Sequence, residues 1–162
     1  MVTSHLQGGL GNILFQISTA YSLALDNNDE CIFDFDNGNF TQRNPKDYKN
    51  NILMKVKDGD IREGWNVKNT YKENGFEYNK IKYQKDMKLE GYFQSEKYFK
   101  HNRKEILDLF DLNQFAINSG AADDIFSKNT LSLHVRRGDY LNQSHVFPTC
   151  TLDYYKEAIN KF

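Results

Sequence analysis

The chain has 162 residues and a formal net charge of −1, so it is long enough for one domain with a core and has no global field to attract nucleic acid or an anionic membrane. Its 39% hydrophobic and 27% charged residues are typical of globular rather than disordered proteins. No apolar run is long enough for a membrane span, and neither a disulfide framework nor a metal site is indicated by the Cys and His positions. The N-terminal residues lack the pattern of a secretory signal. We therefore expect a cytoplasmic protein, with peripheral membrane association left open.

The N-terminal part of the chain alternates between strand and helix patterns, which predicts an α/β protein with a parallel sheet. Residues 2–7 are the expected first strand, although their polar side chains are unusual for a central parallel strand. Residues 12–25 place apolar side chains on one helical face and residues 31–35 alternate as a strand does. Residues 36–88 are polar, so we expect irregular segments and short strands there.

The C-terminal part predicts helices on both sides of a further strand. A helix is expected over residues 102–112, and the small polar residues 118–129 are the best candidate for a linker. Residues 130–135 alternate between apolar and polar side chains and predict a strand. The last helix is expected to begin near Leu152, with Thr151 as its N-cap.

Two adjacent arginines stand at the end of the strand expected over residues 130–135. Arginine is preferred to lysine where a planar fork must bind two oxygens of a phosphate or carboxylate. Ligands of open α/β sheets bind at the carboxyl ends of strands. We expect Arg136 to bind an anion and Arg137 with Asp139 to brace it. An ion-paired strand end without a ligand is the alternative, and an adhesion function for the RGD tripeptide is disfavoured because that needs an exposed loop of a secreted protein.

A glycine-rich turn over residues 8–11 follows the first expected strand and precedes a helix, as nucleotide-binding turns do. The dinucleotide fingerprint fails, because Leu14 occupies the position of its third glycine. We expect Gly9, Gly11 and Asn12 to lie close to a ligand. An ordinary tight connection between a strand and a helix remains the alternative.

Two other features could contribute to a site. The aromatic side chains of residues 91–99 could stack on a sugar or a base, although packing is expected for most of them. His145 could act as a base, but a single loop histidine is usually solvated.

Three stretches together resemble the α-1,2-fucosyltransferases of glycosyltransferase family 11. They are GGLGNILFQ at residues 8–16, GYFQSEKYF at residues 91–99 and HVRRGDY at residues 134–140. Their order and spacing fit the family, and LDYYKEAI at residues 152–159 is similar to the helix that follows the last motif. The resemblance covers residues 6–159.

The resemblance implies a GT-B architecture, in which two Rossmann-like domains face a cleft. Residues 1–128 would form the acceptor-side domain, and residues 129–162 would supply the first strand and helix of a truncated donor-binding domain. GDP-fucose would be the donor and a galactose-containing glycan the acceptor, with an α-1,2 linkage formed by inversion and no metal or cofactor. The chain would then be an N-terminal portion with weak or no turnover in isolation.

The resemblance also implies roles for particular residues. Arg136 would hold the β-phosphate of GDP as a catalytic and donor-binding residue, and Arg137 would assist it. His145 would be the candidate base on the acceptor side. Ile13 departs from the glutamine that usually follows the loop asparagine. The remaining donor-site residues implied by the match lie in the two loops: Gly9, Gly11, Asn12, His134 and Asp139.

Two other functions remain open at this stage. The chain could be a catalytically inactive fragment that acts as a carbohydrate-binding or scaffold domain. It could also be an unrelated nucleotide-binding α/β protein whose motifs match by coincidence. The oligomeric state is not indicated by the sequence.

Overall fold

The computed structural model of the protein describes residues 1–40, 44–59, 67–111 and 129–161, without the side chains of Asp139 and Gln143. The chain divides into two compact units, residues 1–120 and residues 121–162. The domain boundary expected after residue 128 stays a prediction. The linker expected over residues 118–129 lies outside the described residues except for its last position.

The first unit is built on parallel strands. Three of them, β1 (Val2–Ser4), β4 (Asn69–Lys72) and β5 (Met87–Glu90), form a sheet in the order β1-β5-β4. Two shorter strands, β2 (Gln7–Gly8) and β3 (Asn39–Phe40), form a second parallel pair. This confirms the expected α/β class with parallel sheet.

The strand expected over residues 31–35 runs beside β1 but forms only isolated bridges. Val2 pairs with Cys31, and Phe33 pairs with Asp58. Because Val2 also pairs with Met87 of β5, β1 lies between its two neighbours. The segment therefore lies where the strand was predicted, but its hydrogen-bonded pairing is shorter than expected.

Helix α1 (Leu10–Asp26) covers the sheet and includes the helix expected over residues 12–25. An apolar face of this helix is buried in the core, although Leu25, an apolar residue of the predicted span, remains 36% exposed. Its end is capped by Asn27, whose Nδ2 donates to the Leu23 carbonyl at 2.8 Å. The face that α1 turns into the core consists of Ile13, Ile17, Ala20 and Ala24.

Two polar residues of β1 are buried, and they differ in hydrogen bonding: Ser4 has a partner on the neighbouring strand, whereas the Thr3 hydroxyl has none in the described part of the chain. Ser4 is buried, and its hydroxyl donates to the Leu89 carbonyl of β5 at 3.3 Å. A buried hydroxyl with a hydrogen-bond acceptor avoids most of the cost of desolvation. Ser4 is therefore compatible with the central position of this strand.

Helix α2 (Arg103–Phe110) buries its apolar side chains Ile106 and Leu109, and Leu109 belongs to the same core. The residues that precede α2 contact the end of α1. Asn102 Nδ2 donates to Asp26 Oδ1 at 2.8 Å, and His101 Nε2 contacts Asp26 Oδ2 at 2.8 Å. These two contacts hold the start of α2 against the end of α1. The bounds of α2 lie within the range expected for this helix.

The strand expected over residues 130–135 is not formed, which corrects the prediction for the start of the second unit. Residues 129–137 pair with no strand among the described residues. Leu131, Leu133 and Val135 remain 51%, 48% and 47% exposed. Alternation alone does not produce a strand, because a strand also needs a hydrogen-bonded neighbour.

Helix α3 (Leu152–Ile159) forms where it was expected. Thr151 is its N-cap, since its hydroxyl accepts the Tyr154 N–H at 3.3 Å. Ile159, near the end of this helix, remains 44% exposed. Within the described ranges, none of the helices is both long and apolar enough to cross a bilayer.

Candidate functional site

The glycine turn after β2 depends on Gly8 more than on the other glycines. Gly8 has a φ of +84°, and a Cβ at this position would lie 2.5 Å from Asn12 Nδ2. Gly9 is the extended N-cap of α1. Gly11 lies in the first helical turn, and a Cβ there would meet nothing within 4 Å. The conformation of the turn therefore requires Gly8, whereas Gly11 leaves open space beside the backbone.

Gln16 supports the glycine turn through hydrogen bonds to Gln7, a role that the sequence did not predict. Its side chain is fully buried, and its Oε1 accepts the Gln7 N–H at 2.9 Å while its Nε2 donates to the Gln7 carbonyl at 3.2 Å. The amide thus pairs with β2 as a neighbouring strand would. The available signal was a glutamine on the apolar face of α1, one helical turn after Asn12.

A second turn, at residues 91–94, begins where β5 ends. Phe93 is fully buried and has a φ of +52°, which is unfavourable for a residue with a side chain. Glu73 Oε2 accepts both the Tyr92 N–H at 2.7 Å and the Phe93 N–H at 2.9 Å. Gly91 makes room for this carboxylate, because a Cβ there would lie 2.6 Å from Glu73 Oε2. One charged group therefore holds an otherwise strained turn.

The two turns meet through a side-chain hydrogen bond. Gln94 Nε2 donates to Asn12 Oδ1 at 2.6 Å, between residues 82 positions apart in the chain. The bond joins the first motif to the second at the carboxyl edge of the parallel strands. In open α/β sheets this edge is where ligands bind.

The aromatic residues of the second motif are used mainly for packing, as expected. Phe93 and Tyr98 are buried and meet edge to face, with ring centroids 5.5 Å apart. Phe99 packs on Phe15 of α1, with centroids 5.9 Å apart. Tyr92 is the exception, since it remains 37% exposed.

An open cavity of about 450 Å³ lies beside the second turn, at the carboxyl ends of β4 and β5. Tyr92 and Phe76 line it, and Phe76 is 83% exposed. Glu90 also lines it, and the hydrogen bond from Lys88, together with Lys72, holds the pKa of this carboxyl below its usual range. The cavity therefore combines apolar ring faces with an ionised carboxylate at neutral pH.

In the second unit, the Arg136 side chain lies on a stack of two aromatic rings. Its guanidinium lies over the Tyr140 ring, 4.5 Å from the centroid. Tyr140 in turn stacks on Phe147, with centroids 4.8 Å apart and an interplanar angle of 20°. Burial and the neighbouring Cys150 raise the pKa of the Tyr155 hydroxyl, whereas the nearby backbone of Arg136 lowers it. The ring stack and α3 therefore both fix the Arg136 segment.

The expected site residues fall into two sets, one in each unit. His134, Arg136, Arg137 and His145 are exposed, and Asp139 lies in the 3₁₀ helix Gly138–Gln143 with its side chain outside the described residues. The other set contains Gly9, Gly11 and Asn12 of the first unit. That both sets serve one site stays a prediction. Across the described ranges, no group of three or more His, Cys, Asp or Glu side chains is placed to hold a metal ion.

Comparison with known proteins decides the family. The family model described as "Glycosyl transferase family 11" matches residues 1–162. The chain belongs to glycosyltransferase family 11. The resemblance carried by the three motifs is thereby confirmed.

Two curated relatives from Escherichia coli are similar to this family 11 chain. An alpha-1,2-colitosyltransferase is 26% identical over an alignment that covers 98% of this chain and 63% of the relative. The O-antigen biosynthesis glycosyltransferase WbnK is 36% identical over 80 residues, which is 44% of this chain and 26% of the relative. The chain thus spans less than two thirds of the length of either relative. No solved structure matches it.

Substitution of two turn glycines, Gly8 and Gly11, tests which of them the fold requires. We expect Gly8→Ala to destabilise the protein by about 1–2 kcal/mol, because it forces a left-handed residue against Asn12. Gly11→Ala should stabilise it by about 0.5–1 kcal/mol, since alanine favours a helix and the space is open. Urea unfolding measures both, and destabilisation by Gly11→Ala would contradict the geometry of the turn.

Proposed function

We propose that the protein transfers L-fucose from GDP-fucose to a galactoside hydroxyl, forming an α-1,2 linkage with inversion and without a metal ion. The observation that carries this proposal is the family match over residues 1–162. The contact between Asn12 and Gln94 supports it, because it brings two of the motifs together at the carboxyl ends of the parallel strands, where open α/β sheets generally bind ligands. The proposed architecture is GT-B, with residues 1–128 on the acceptor side and residues 129–162 at the start of the donor-binding domain.

The central step of the proposed reaction is departure of GDP from the fucose anomeric carbon. Negative charge develops on the β-phosphate, and preorganised cationic donors stabilise it. Arg136 is suited to this because a guanidinium offers a planar fork of N–H donors to phosphate oxygens, and the Tyr140 ring beneath it holds it in place. Arg137 would assist, and His134 and Asp139 would shape the same loop.

The acceptor side of the proposal uses two further groups. His145 would accept the proton of the attacking hydroxyl as general base. The cavity lined by Tyr92 and Phe76 would hold the acceptor sugar, whose apolar face stacks on the rings while its hydroxyls bind Glu90. In the glycine turn, Gly9, Gly11 and Asn12 would approach the donor.

Replacement of Arg136 by lysine tests the donor half of the proposal. A lysine ammonium keeps the charge but cannot grip two oxygens, so we expect the GDP dissociation constant of the full-length protein to rise about tenfold or more. Calorimetric titration with GDP measures this change. Arg103→Lys, an exposed arginine of α2, is the matched control and should leave GDP binding unchanged. Equal effects of the two substitutions would contradict the role of Arg136.

Removal of the Tyr92 ring tests the acceptor half. We expect Tyr92→Ala to raise the acceptor KM about two- to tenfold, because a stacked ring contributes about 0.5–1.5 kcal/mol, and to leave the donor KM unchanged. Tyr78 is the matched control, since it is 41% exposed and lies outside this cavity. A rise in acceptor KM of the same size for Tyr78→Ala would argue against an acceptor site here.

A second candidate is transfer of colitose, the 3-deoxy analogue of fucose. The relative named alpha-1,2-colitosyltransferase, aligned over 98% of this chain, favours it. A site that hydrogen-bonds the fucose 3-hydroxyl should reject the analogue by a factor of about 10⁴, whereas an apolar site discriminates by about 10² or less. We expect turnover of the full-length protein to prefer GDP-fucose to GDP-colitose. The reverse preference would select colitosyl transfer, and glycan binding without a GDP response would select the carbohydrate-binding or scaffold function.

A further inference from the structure

We propose that Gln94 is a positioning residue that fixes the side-chain amide of Asn12 and so determines which groups the glycine turn offers to the donor. The inference rests on the proposed function, which places Asn12 beside the nucleotide sugar. Gln94 itself need not touch the donor. Its effect is carried through the 2.6 Å hydrogen bond from its Nε2 to Asn12 Oδ1.

The backbone that carries Gln94 is held more firmly than an ordinary surface loop. The preceding residue, Phe93, has a φ of +52° and a fully buried ring. Glu73 satisfies the N–H of Phe93 at 2.9 Å, and the Ser95 N–H donates to the Phe93 carbonyl at 2.7 Å. Strained backbone of this kind persists where the surroundings determine it, and it is concentrated at functional sites. The side chain that this turn presents is therefore directed at a defined point.

The Gln94 side chain contacts the side-chain amide of Asn12, which could otherwise adopt either of two orientations. Asn12 has one acceptor oxygen and one donor nitrogen, which differ in what they can bind. With Oδ1 accepting from Gln94, Nδ2 is directed towards Gly8, where the absent Cβ makes room for it. The turn consequently offers an N–H donor beside its glycines. Phosphate and hydroxyl oxygens of a nucleotide sugar are acceptors for such a group.

The hydrogen bond itself contributes little to folding. Gln94 is exposed, and an exposed hydrogen bond between neutral groups has a small net effect because water competes for both partners. The constraint on Gln94 is thus stronger than its contribution to stability requires. A positioning role explains this difference.

The sharpest test replaces the donor by an acceptor of the same shape. In Gln94→Glu the new carboxylate cannot donate to Asn12 Oδ1, and it would draw the Asn12 N–H groups towards itself. We expect kcat/KM for the donor to fall about tenfold in the full-length protein, with the acceptor KM unchanged. Gln84→Glu is the matched control, since Gln84 is exposed in the same unit and its side chain has no hydrogen bond in the described part of the chain.

A double-mutant cycle separates positioning from a general structural effect. In an Asn12→Ala background, Gln94→Glu should cause no further loss of kcat/KM, because the group that it misplaces is gone. The unfolding midpoint of Gln94→Glu should match that of Gln84→Glu. Losses that add in the double variant, or equal losses in the two glutamine variants, would overturn the inference.

A spectroscopic readout keeps this inference distinct from the proposed function. The side-chain amide NMR signals of Asn12 in the unliganded protein should move in Gln94→Glu and stay in place in Gln84→Glu. Unchanged signals in both variants would overturn the inference whatever the activity. If the wild-type protein binds no GDP, the proposed function fails, and the NMR comparison alone then supports or overturns the control of Asn12 by Gln94.

Discussion

One carboxylate oxygen sets the geometry at the carboxyl ends of the parallel strands of the first unit. Glu73 Oε2 accepts two successive backbone N–H groups at the end of β5, and so holds Phe93 in a left-handed conformation. Charged acceptors form stronger hydrogen bonds than neutral ones, which is why a single group can maintain an unfavourable turn. The contact between Gln94 and Asn12 follows from this turn, and so does the half-exposed ring of Tyr92 beside the cavity.

Periodicity predicted the first unit well wherever the pattern was local. The α1 helix, its end near Asp26 and the packing of Phe93 and Tyr98 were all accessible from the sequence. The hydrogen bond between Gln94 and Asn12 was not accessible, because it joins residues 82 positions apart and depends on a carboxylate within an unpatterned polar region. Gln16 was missed for a related reason: a buried amide within an apolar helical face has no periodic signature of its own.

The second unit shows the limit of alternation as a signal. Leu131, Leu133 and Val135 repeat with the period of a strand, yet residues 129–137 pair with no strand in the described part of the chain. Capping is a shorter-range effect, and the Thr151 N-cap was predicted correctly. The stacking of Arg136 on Tyr140 is intermediate between the strand that did not form and the N-cap that did. It joins nearby residues, but the chain between them turns at Gly138.

The order of strands in the sheet has a consequence for how the first unit acquires its structure. β1 is synthesised well before its partner β5, since the Ser4–Leu89 contact spans 85 positions. Closing so long a segment costs chain entropy before any packing offsets it, and such non-local topologies fold slowly. The residues of β1 therefore leave the ribosome well before the segment through Glu90, and until then the segment at Cys31 is the neighbour available to them.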